Sequence, residues 1–375
     1  MAEVIVVGGG IAGCTTAFYL AADGIDVLLV EQGDLNTAAS GTNAGSLHAQ
    51  IQHEPFLELG ESWARQFAPA VPFFLESISL WQQAQRLVDV DLEVSLDGGL
   101  LVAADGEQMR QVEAKARIEQ ACGLTIELLD RGELEVRAPY IARRMVGAAF
   151  CPTEGKANPL VAAPAFARAA EQRGARILRN QRVVDIRRVA AEYEVATEHA
   201  THRARRVVDA AGMEAGRIAA FVGASLPIQA FPIQLTVTEP VAPLVRHLVY
   251  SARERLTLKQ TRLGTILIGG GWPSRLDGQG RPQVSAQSLS RNLAVALDTV
   301  PALARVDVMR TWAAIVNGTA NWLPLLGEVP GAPGFFLNYV PWMGFTGGPA
   351  GGRIVASLVQ GKPPPVSFDC SRFQP

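Results

Sequence analysis

Residues 4–32 constrain this chain more tightly than any other stretch. Val4-Ile5-Val6-Val7 is a run of β-branched residues, the pattern of a strand buried on both faces. Gly8-Gly9-Gly10-Ile11-Ala12-Gly13 follows at once. Cys14 to Ala22 then reads as a helix that Gly24 ends, and Val27 to Val30 as a second strand closed by Glu31 and Gln32. Each part has a physical reason. Gly8 permits the tight turn out of the strand, Gly10 lets the backbone approach a pyrophosphate, and Gly13 allows helix to pack closely on strand. The helix N-terminus offers unpaired N–H groups and the positive end of its dipole. A carboxylate at Glu31 accepts hydrogen bonds from a ribose diol and repels a 2′-phosphate, which disfavours NADP. Strand, glycines, helix, strand and terminal acid in this order predict a site for the ADP half of a dinucleotide. Gly8, Gly10, Ile11, Ala12, Gly13, Glu31 and Gln32 are its candidate contacts. This unit alone does not separate NAD from FAD.

The rest of the composition narrows the class. At 375 residues and 48% hydrophobic the chain buries a large core, and the length suggests two domains. With 34 basic against 36 acidic side chains there is no basic stripe of a nucleic-acid binder. Cys14, Cys122, Cys151 and Cys370 form no C-x-x-C pair, and His53, His199, His202 and His247 have no ligand spacing. No metal or Fe–S cluster is expected in this chain, and the reducing cytoplasm fits best. Ile11-Ala12-Gly13-Cys14 resembles a lipoprotein cleavage box, but Glu3 and the interrupting glycines favour a strand over an export signal. No apolar run reaches membrane-span length, while a peripheral membrane contact is left open.

Beyond the first unit, Ala39 to Ser46 is a small, polar loop suited to close backbone approach. Phe56 to Leu87, Gln108 to Cys122, Pro159 to Gly174 and Ser285 to Leu297 read as helical. Strands are expected at Val94 to Ala103, Arg176 to Leu178, Val183 to Arg187, Tyr193 to Thr197 and Arg206 to Ala210. Others fall at Gln234 to Thr238, Leu256 to Gln260, Thr265 to Ile268 and Phe335 to Val340. Gly344-Phe345-Thr346-Gly347-Gly348 precedes a helix expected from Ala350 to Gln360.

Taken together, several segments resemble the D-amino-acid oxidase superfamily of FAD-dependent oxidoreductases. They are Gly8 to Gly13 with Glu31, the Ser40 to Ser46 loop, Glu154-Gly155 with Pro159 before its helix, Val208 to Gly212, and Gly344 to Gly347. Ser40 to His48, Leu256 to Thr261 and Ile268 to Pro273 look like the FAD-bearing β subunits of opine oxidases and of D-hydroxyproline or proline dehydrogenases. The resemblance implies an α/β fold in which a Rossmann-like FAD-binding domain (1–87, 150–222 and 313–375) carries an inserted α+β substrate domain. That domain (88–149 and 223–312) would be built on a mostly antiparallel sheet. It adds Ser40, Gly41, Asn43, Ala44, Gly45, Ser46, Leu47, Val183, Ala211, Gly212, Gly344, Phe345, Thr346 and Gly347 to the cofactor contacts. Glycine-oxidase-like members carry an Arg after a Trp-Ala-Gly segment to clamp the substrate carboxylate. Here Trp312-Ala313-Ala314-Ile315-Val316 places Val316 at that point, so another group must hold a carboxylate or the substrate differs.

The resemblance implies oxidation of an amine CH–NH bond, with hydride passing to flavin, on a small amine such as an opine or proline derivative. Three residues are the catalytic candidates. Lys259, at the end of an apolar strand, either faces the flavin or lies on the solvent side of an edge. His48 touches substrate or ring, or is simply packed. Trp312, with Trp342, either walls the flavin or belongs to the core. The family further implies an α subunit, often a small Fe–S protein, and in several members FMN between subunits. An autonomous O₂-using oxidase and a flavin-binding scaffold without turnover are the competing readings.

Overall fold

A computed structural model of the chain describes residues 1–364; Cys370 lies outside them. Two eight-stranded sheets organise the molecule. In the first, Ala2–Val7 lies between Thr201–Asp209 and Val27–Val30, parallel to both, with Val4 opposite Arg206 and Val27. Arg176–Leu178 extends one side in parallel, and Phe335–Tyr339 the other. All six residues of the first strand except Glu3 are buried, as its β-branched run requires. Val183–Val189, Glu192–Thr197 and Leu325–Glu328 add antiparallel strands.

The helix Ile11–Ala22 packs between Gly344–Val359 and Pro159–Glu171. Small residues set the first of these contacts: a Cβ on Gly352 would stand 2.4 Å from Thr15 Oγ1, and one on Gly348 2.6 Å from Ile11 Cγ1. The helix expected from Ala350 begins at Gly344, so the glycine-rich segment is its first turn and not a preceding loop. Pro349 sits inside it without breaking it. At this point Ala350 N donates to Ser77 Oγ at 3.1 Å, and the same hydroxyl donates to Thr346 O at 2.6 Å. A side chain thus takes the place of one rung of the ladder, the kind of insertion that adapts a helix locally.

The second sheet runs Val308–Gly318, Gln229–Thr238, Ile266–Gly269, Thr257–Gln260, Leu248–Ser251, Gly99–Ala103, Gly147–Cys151, Glu127–Asp130. Its pairs are antiparallel except Leu248–Ser251 with Gly99–Ala103. Two departures from the sequence reading concern it. Val308–Gly318 is an eleven-residue strand, so the expected cut at 312/313 falls inside it, with Trp312 opposite Leu235. The cut at 149/150 likewise falls inside Gly147–Cys151. Val308–Gly318 shows no clean two-residue alternation and is mostly half-buried, which is why its pattern is silent. The strand expected from Val94 starts at Gly99. The helix Gly106–Ala121 covers this sheet and meets His53–Phe67 of the first half.

Candidate active site

The glycine loop is shaped by contacts a side chain would destroy. A Cβ on Gly13 would stand 1.9 Å from Gly8 O, and one on Gly8, at φ +111°, 2.5 Å from Ala210 O. Gly10 differs, because a Cβ there would meet only Ser40 within 4 Å, at Oγ 2.9 Å and Cβ 3.7 Å. Its missing side chain therefore opens space toward the 39–46 loop. Gly10 is the cap of the helix and supplies no side-chain hydrogen bond. The first N–H groups of any helix lack partners within it, and here Ser40 Oγ accepts from Ile11 N at 3.0 Å. Ala12 and Gly13 occupy the same first turn.

Glu31 accepts from Gly9 N at 2.6 Å and Gly33 N at 2.8 Å. Two carboxylate oxygens offer about four acceptor positions, so this clamp leaves capacity for a diol. Gln32 is exposed beside it. A phosphate cradle that a Cβ would fill, a helix N-terminus and an acid poised at its side fit an ADP-bearing cofactor. Ala211 N donates to Asp209 Oδ1 at 3.0 Å, and Gly212, at φ +57°, follows. Val183 is buried at the start of its strand, and its carbonyl accepts from Arg217 at 3.1 Å.

The Ala39–Thr42 segment is a single helical turn ended by Asn43. Asn43 ties it, donating to Ser40 O at 2.6 Å and accepting from Gly45 N at 2.6 Å. Gly41 and Gly45 are needed for packing: Cβ atoms there would stand 1.9 Å from Asn36 O and 2.1 Å from Ala157 O. Ser46–Leu47 then pairs with Gly155–Lys156.

This chain segment borders a cavity of about 670 Å³ that lies against the second sheet, closed by segments of the first half and by the 341–346 turn. Ala44, Ser46, His48, Tyr250, Trp342 and Thr346 are among its lining residues, and Ser46 and Thr346 are the buried ones of these. Thr346 Oγ1 accepts from His48 N at 3.0 Å and donates to Ser46 O at 3.2 Å, which locks the first turn of Gly344–Val359 onto the loop. Phe345 also faces the cavity, while a Cβ on Gly347 would strike Phe73 at 2.9 Å.

Lys259 is buried, 2% exposed, and donates to Ser46 Oγ at 2.5 Å. It stands directly behind the cavity wall and not on the solvent side of an edge. Burial, with the charge of Lys156 added, lowers its pKa from 10.5 to about 7. His48 Nδ1 lies 2.7 Å from the Tyr250 hydroxyl. Burial and the nearby Lys259 push the imidazole down to about 3, so it is neutral at physiological pH. Trp312 does not line the cavity; its indole donates to Thr42 O at 3.0 Å and supports the loop from outside. Arg310 is exposed, with its guanidinium 6.0 Å from the Trp312 ring centre. Trp342, Trp322 and Phe231 supply the aromatic wall instead. Val316 lines the cavity and brings no charge there.

Sequence reasoning missed a layer of buried charge behind this wall. Glu154, fully buried, accepts from Ala49 N at 2.7 Å, Gln50 N at 2.8 Å and Gln50 Nε2 at 2.9 Å. Glu119 accepts from Ile51 N at 2.7 Å and from buried Lys115 at 2.5 Å. Burial raises the pKa of both carboxyls. The chain has only four lysines, Lys115, Lys156, Lys259 and Lys362, and that scarcity was the available signal for Lys115 as for Lys259. Among the described residues no group of three or more His, Cys, Asp or Glu side chains could hold a metal, and no helix is long and apolar enough to cross a membrane.

Comparison with known proteins agrees with this geometry. Residues 3–358 match the DAO family model, described as FAD dependent oxidoreductase. Glycine oxidase from Geobacillus kaustophilus is 27% identical, covering 99% of this chain and 96% of that protein. The B subunit of opine oxidase from Rhizobium meliloti is 28% identical over 89% of this chain and 87% of its own. The crystal structure of the Geobacillus glycine oxidase superimposes with a TM-score of 0.87 over 99% of this chain and 97% of its own. The chain belongs to the DAO family of FAD dependent oxidoreductases, and FAD is its cofactor.

Proposed function

We propose that this member of the family is the catalytic FAD subunit of an enzyme that oxidises the CH–NH bond of a secondary amino acid, an opine or proline derivative being the class in view. The observation that carries this reading is one part of the cavity lining. There an uncharged imidazole, a tyrosine hydroxyl and the Thr346 turn face an apolar chamber, with Lys259 one layer behind. FAD, when bound, supplies the two-electron acceptor for the hydride that leaves the carbon beside nitrogen. Gly8, Gly10, Ile11, Ala12, Gly13 and Glu31 would hold its ADP portion. Ser40 to Leu47 and Gly344 to Gly347 would hold the rest.

The protein's part is selection and position. Hydride leaves readily only from an amine with a free lone pair. An apolar chamber backed by a lysine disfavours an ammonium ion and so admits the neutral amine. His48, held against Tyr250, offers a neutral hydrogen-bonding nitrogen without adding charge. The N-terminal turn at Gly344 directs N–H groups and a positive dipole end toward the chamber, where negative charge on the reduced cofactor would be stabilised.

Electrons must then leave the site. The relatives include the B subunit of opine oxidase and the β subunit of sarcosine oxidase, and these names support a partner subunit; we propose an α subunit for that place, with a small Fe–S protein and FMN at the interface as the carriers it would add. The cytoplasm, with or without peripheral attachment to the membrane, suits the scattered cysteines. The likeness to glycine oxidase over 99% of the chain favours a second reading, an autonomous oxidase that passes electrons to O₂. Anaerobic mixing with secondary amino acids tests the main reading: bleaching of the flavin by one of them is the expected result, and a flavin that stays oxidised with all of them leaves only a scaffold. Co-purification with the products of neighbouring genes, against fast reoxidation of the isolated chain by O₂, separates the two enzymatic readings.

A further inference from the structure

The lining of the cavity includes buried residues, Ser46 and Thr346, and a more exposed margin that carries Arg253 and Arg291. Trp342, Met343, Phe231, Leu256 and Val316 give the lining an apolar part, and among the described residues the arginines bordering it are Arg253, Arg255 and Arg291. Arg253 is half-exposed and paired with Asp298 at 3.0 Å. Arg291 is paired with Glu254 at 3.1 Å and lies over Trp272, 5.4 Å from the ring centre.

Arg255 is placed differently. Its side chain is 34% exposed, against 54% and 61% for the other two. It is held at both ends: the Trp272 indole donates to its backbone carbonyl at 2.7 Å, and one guanidinium nitrogen, Nη1, donates to Gly271 O at 3.0 Å. From there the guanidinium reaches across to the other half of the molecule. It pairs with Glu54 and comes within 3.7 Å of Glu58. Both acids sit on the arm 53–59, which leads the helix His53–Phe67 and is set off from it by Gly60 at φ 78°, ψ −179°. A Cβ at Gly60 would meet nothing within 4 Å, so packing does not impose this break. Burial pushes the Glu54 carboxyl up to about 7 even with Arg255 beside it. The acid that holds the guanidinium is thus poorly solvated where it stands.

We infer that Arg255 is the anchor for a substrate carboxylate carried at a distance from the reacting nitrogen, and that Glu54 occupies the guanidinium until that carboxylate replaces it. A planar fork that already donates to one carboxylate can donate to another in the same place, with no change in the number of paired charges. The substrate class follows from the path between the two ends: an amine joined to an acid through an apolar segment, rather than a glycine-sized α-amino acid. This inference rests on the amine-oxidation reading for the nitrogen end only.

The test uses the purified holoenzyme titrated with phenylacetate, 3-phenylpropionate and 4-phenylbutyrate and with the carboxamide of each, read by perturbation of flavin absorption. The two longer acids are expected to bind more tightly than phenylacetate, and each acid more tightly than its amide. Arg255→Met is expected to erase a preference of roughly tenfold or more, the range for hydrogen bonds to charged groups, with amide binding unchanged. Arg255→Lys should keep part of the preference, and Glu54→Gln should tighten acid binding several-fold. An acid-to-amide ratio that Arg255→Met leaves at the wild-type value overturns the inference. If that variant does not fold, unchanged acid affinity in Glu54→Gln overturns it instead. Anaerobic bleaching by amines is measured separately. Its failure alongside the expected acid pattern would remove the amine reading and leave Arg255 as an acid anchor.

Discussion

Replacing Lys259 by Met should make the protein more stable and less active, an opposition that a merely structural lysine would not produce. The magnitude follows from its surroundings. Lys259 is 2% exposed and its pKa falls from 10.5 to about 7. That fall corresponds to about 5 kcal/mol less favourable folding well below pH 7 than for a freely solvated lysine, and to about 4 kcal/mol at pH 7. Met has similar length and no charge to desolvate. Against this gain stands the lost bond to Ser46 Oγ at 2.5 Å, which costs about 1–3 kcal/mol when its partner is left buried. The net expectation is a gain of about 1–3 kcal/mol at neutral pH. The sign with pH is fixed: between about 7 and 10.5 the unfolded lysine binds a proton that the folded one has released. Wild-type stability therefore rises with pH across that window, and the advantage of Lys259→Met shrinks toward its upper end. Denaturant titration at pH 6.5, 8 and 10 with FAD in fixed excess measures this. Stopped-flow mixing measures the other half, an expected loss of at least about tenfold, or about 1.4 kcal/mol, in amine-dependent flavin reduction or in reoxidation. A variant that is destabilised at every pH and turns over like wild type would refute the reasoning and return Lys259 to plain packing.

Glu31→Ala should weaken flavin retention by about 1–3 kcal/mol, and the nucleotide released from wild type on denaturation should be FAD; FMN or NAD from this site would contradict the assignment. Gly13→Ala places a Cβ 1.9 Å from Gly8 O, so it should yield protein without flavin, seen as lost absorbance and lost solubility. The pH profile of flavin reduction should carry a limb near 7 that Lys259→Met removes, and none near 6.5 from His48, whose pKa is about 3; a limb that survives the substitution assigns it elsewhere. Ser77→Ala should cost about 1–3 kcal/mol, because Ala350 N loses its acceptor while Thr346 O keeps the Trp81 indole at 3.0 Å; equal stability by calorimetry would show that the ladder closes over the gap.

The first sheet was legible because its signals are local. Val4 to Val7, the glycines and Glu31 lie within one βαβ unit, and each local choice agrees with the fold around it. The strand Val308–Gly318 was not, since its half-buried residues show no alternation and only its pairing with Gln229–Thr238 defines it. Trp312 illustrates the same limit. A tryptophan near a flavin loop suggests a wall, but register turns its indole outward to Thr42 O, and the aromatic wall comes from Trp342, Trp322 and Phe231. Lys259 was legible as an anomaly of composition, while the direction of its side chain depended on the pairing Lys259 with Leu267 that no local pattern specifies.

Glu154-Gly155 gains a physical reason from the same contacts. Gly155 has no room for a side chain, since a Cβ would stand 2.0 Å from Ser95 O, and Gly99 is held bare by Glu154 itself, whose Oε2 would lie 1.8 Å from a Cβ there. What this crowding achieves is a taut segment. Ala49 and Gln50 donate their N–H groups to Glu154, and Ile51 donates to Glu119, while Ser46 is held from behind by Lys259. The stretch from Ser46 to Ile51 is thus fixed by charges one layer deeper than the cavity it borders. Buried charges of this kind are costly unless paired and hydrogen-bonded, and here their bonds go to backbone N–H groups and to the neutral side chains of Gln50 and Ser46 rather than to one another, apart from Lys115 with Glu119. A wall held in this way keeps His48 and Ser46 in place while presenting the chamber with no full charge of its own. On the proposed function that is the condition a neutral amine needs, and on the role inferred for Arg255 the more exposed part of the cavity is where charge would meet the substrate.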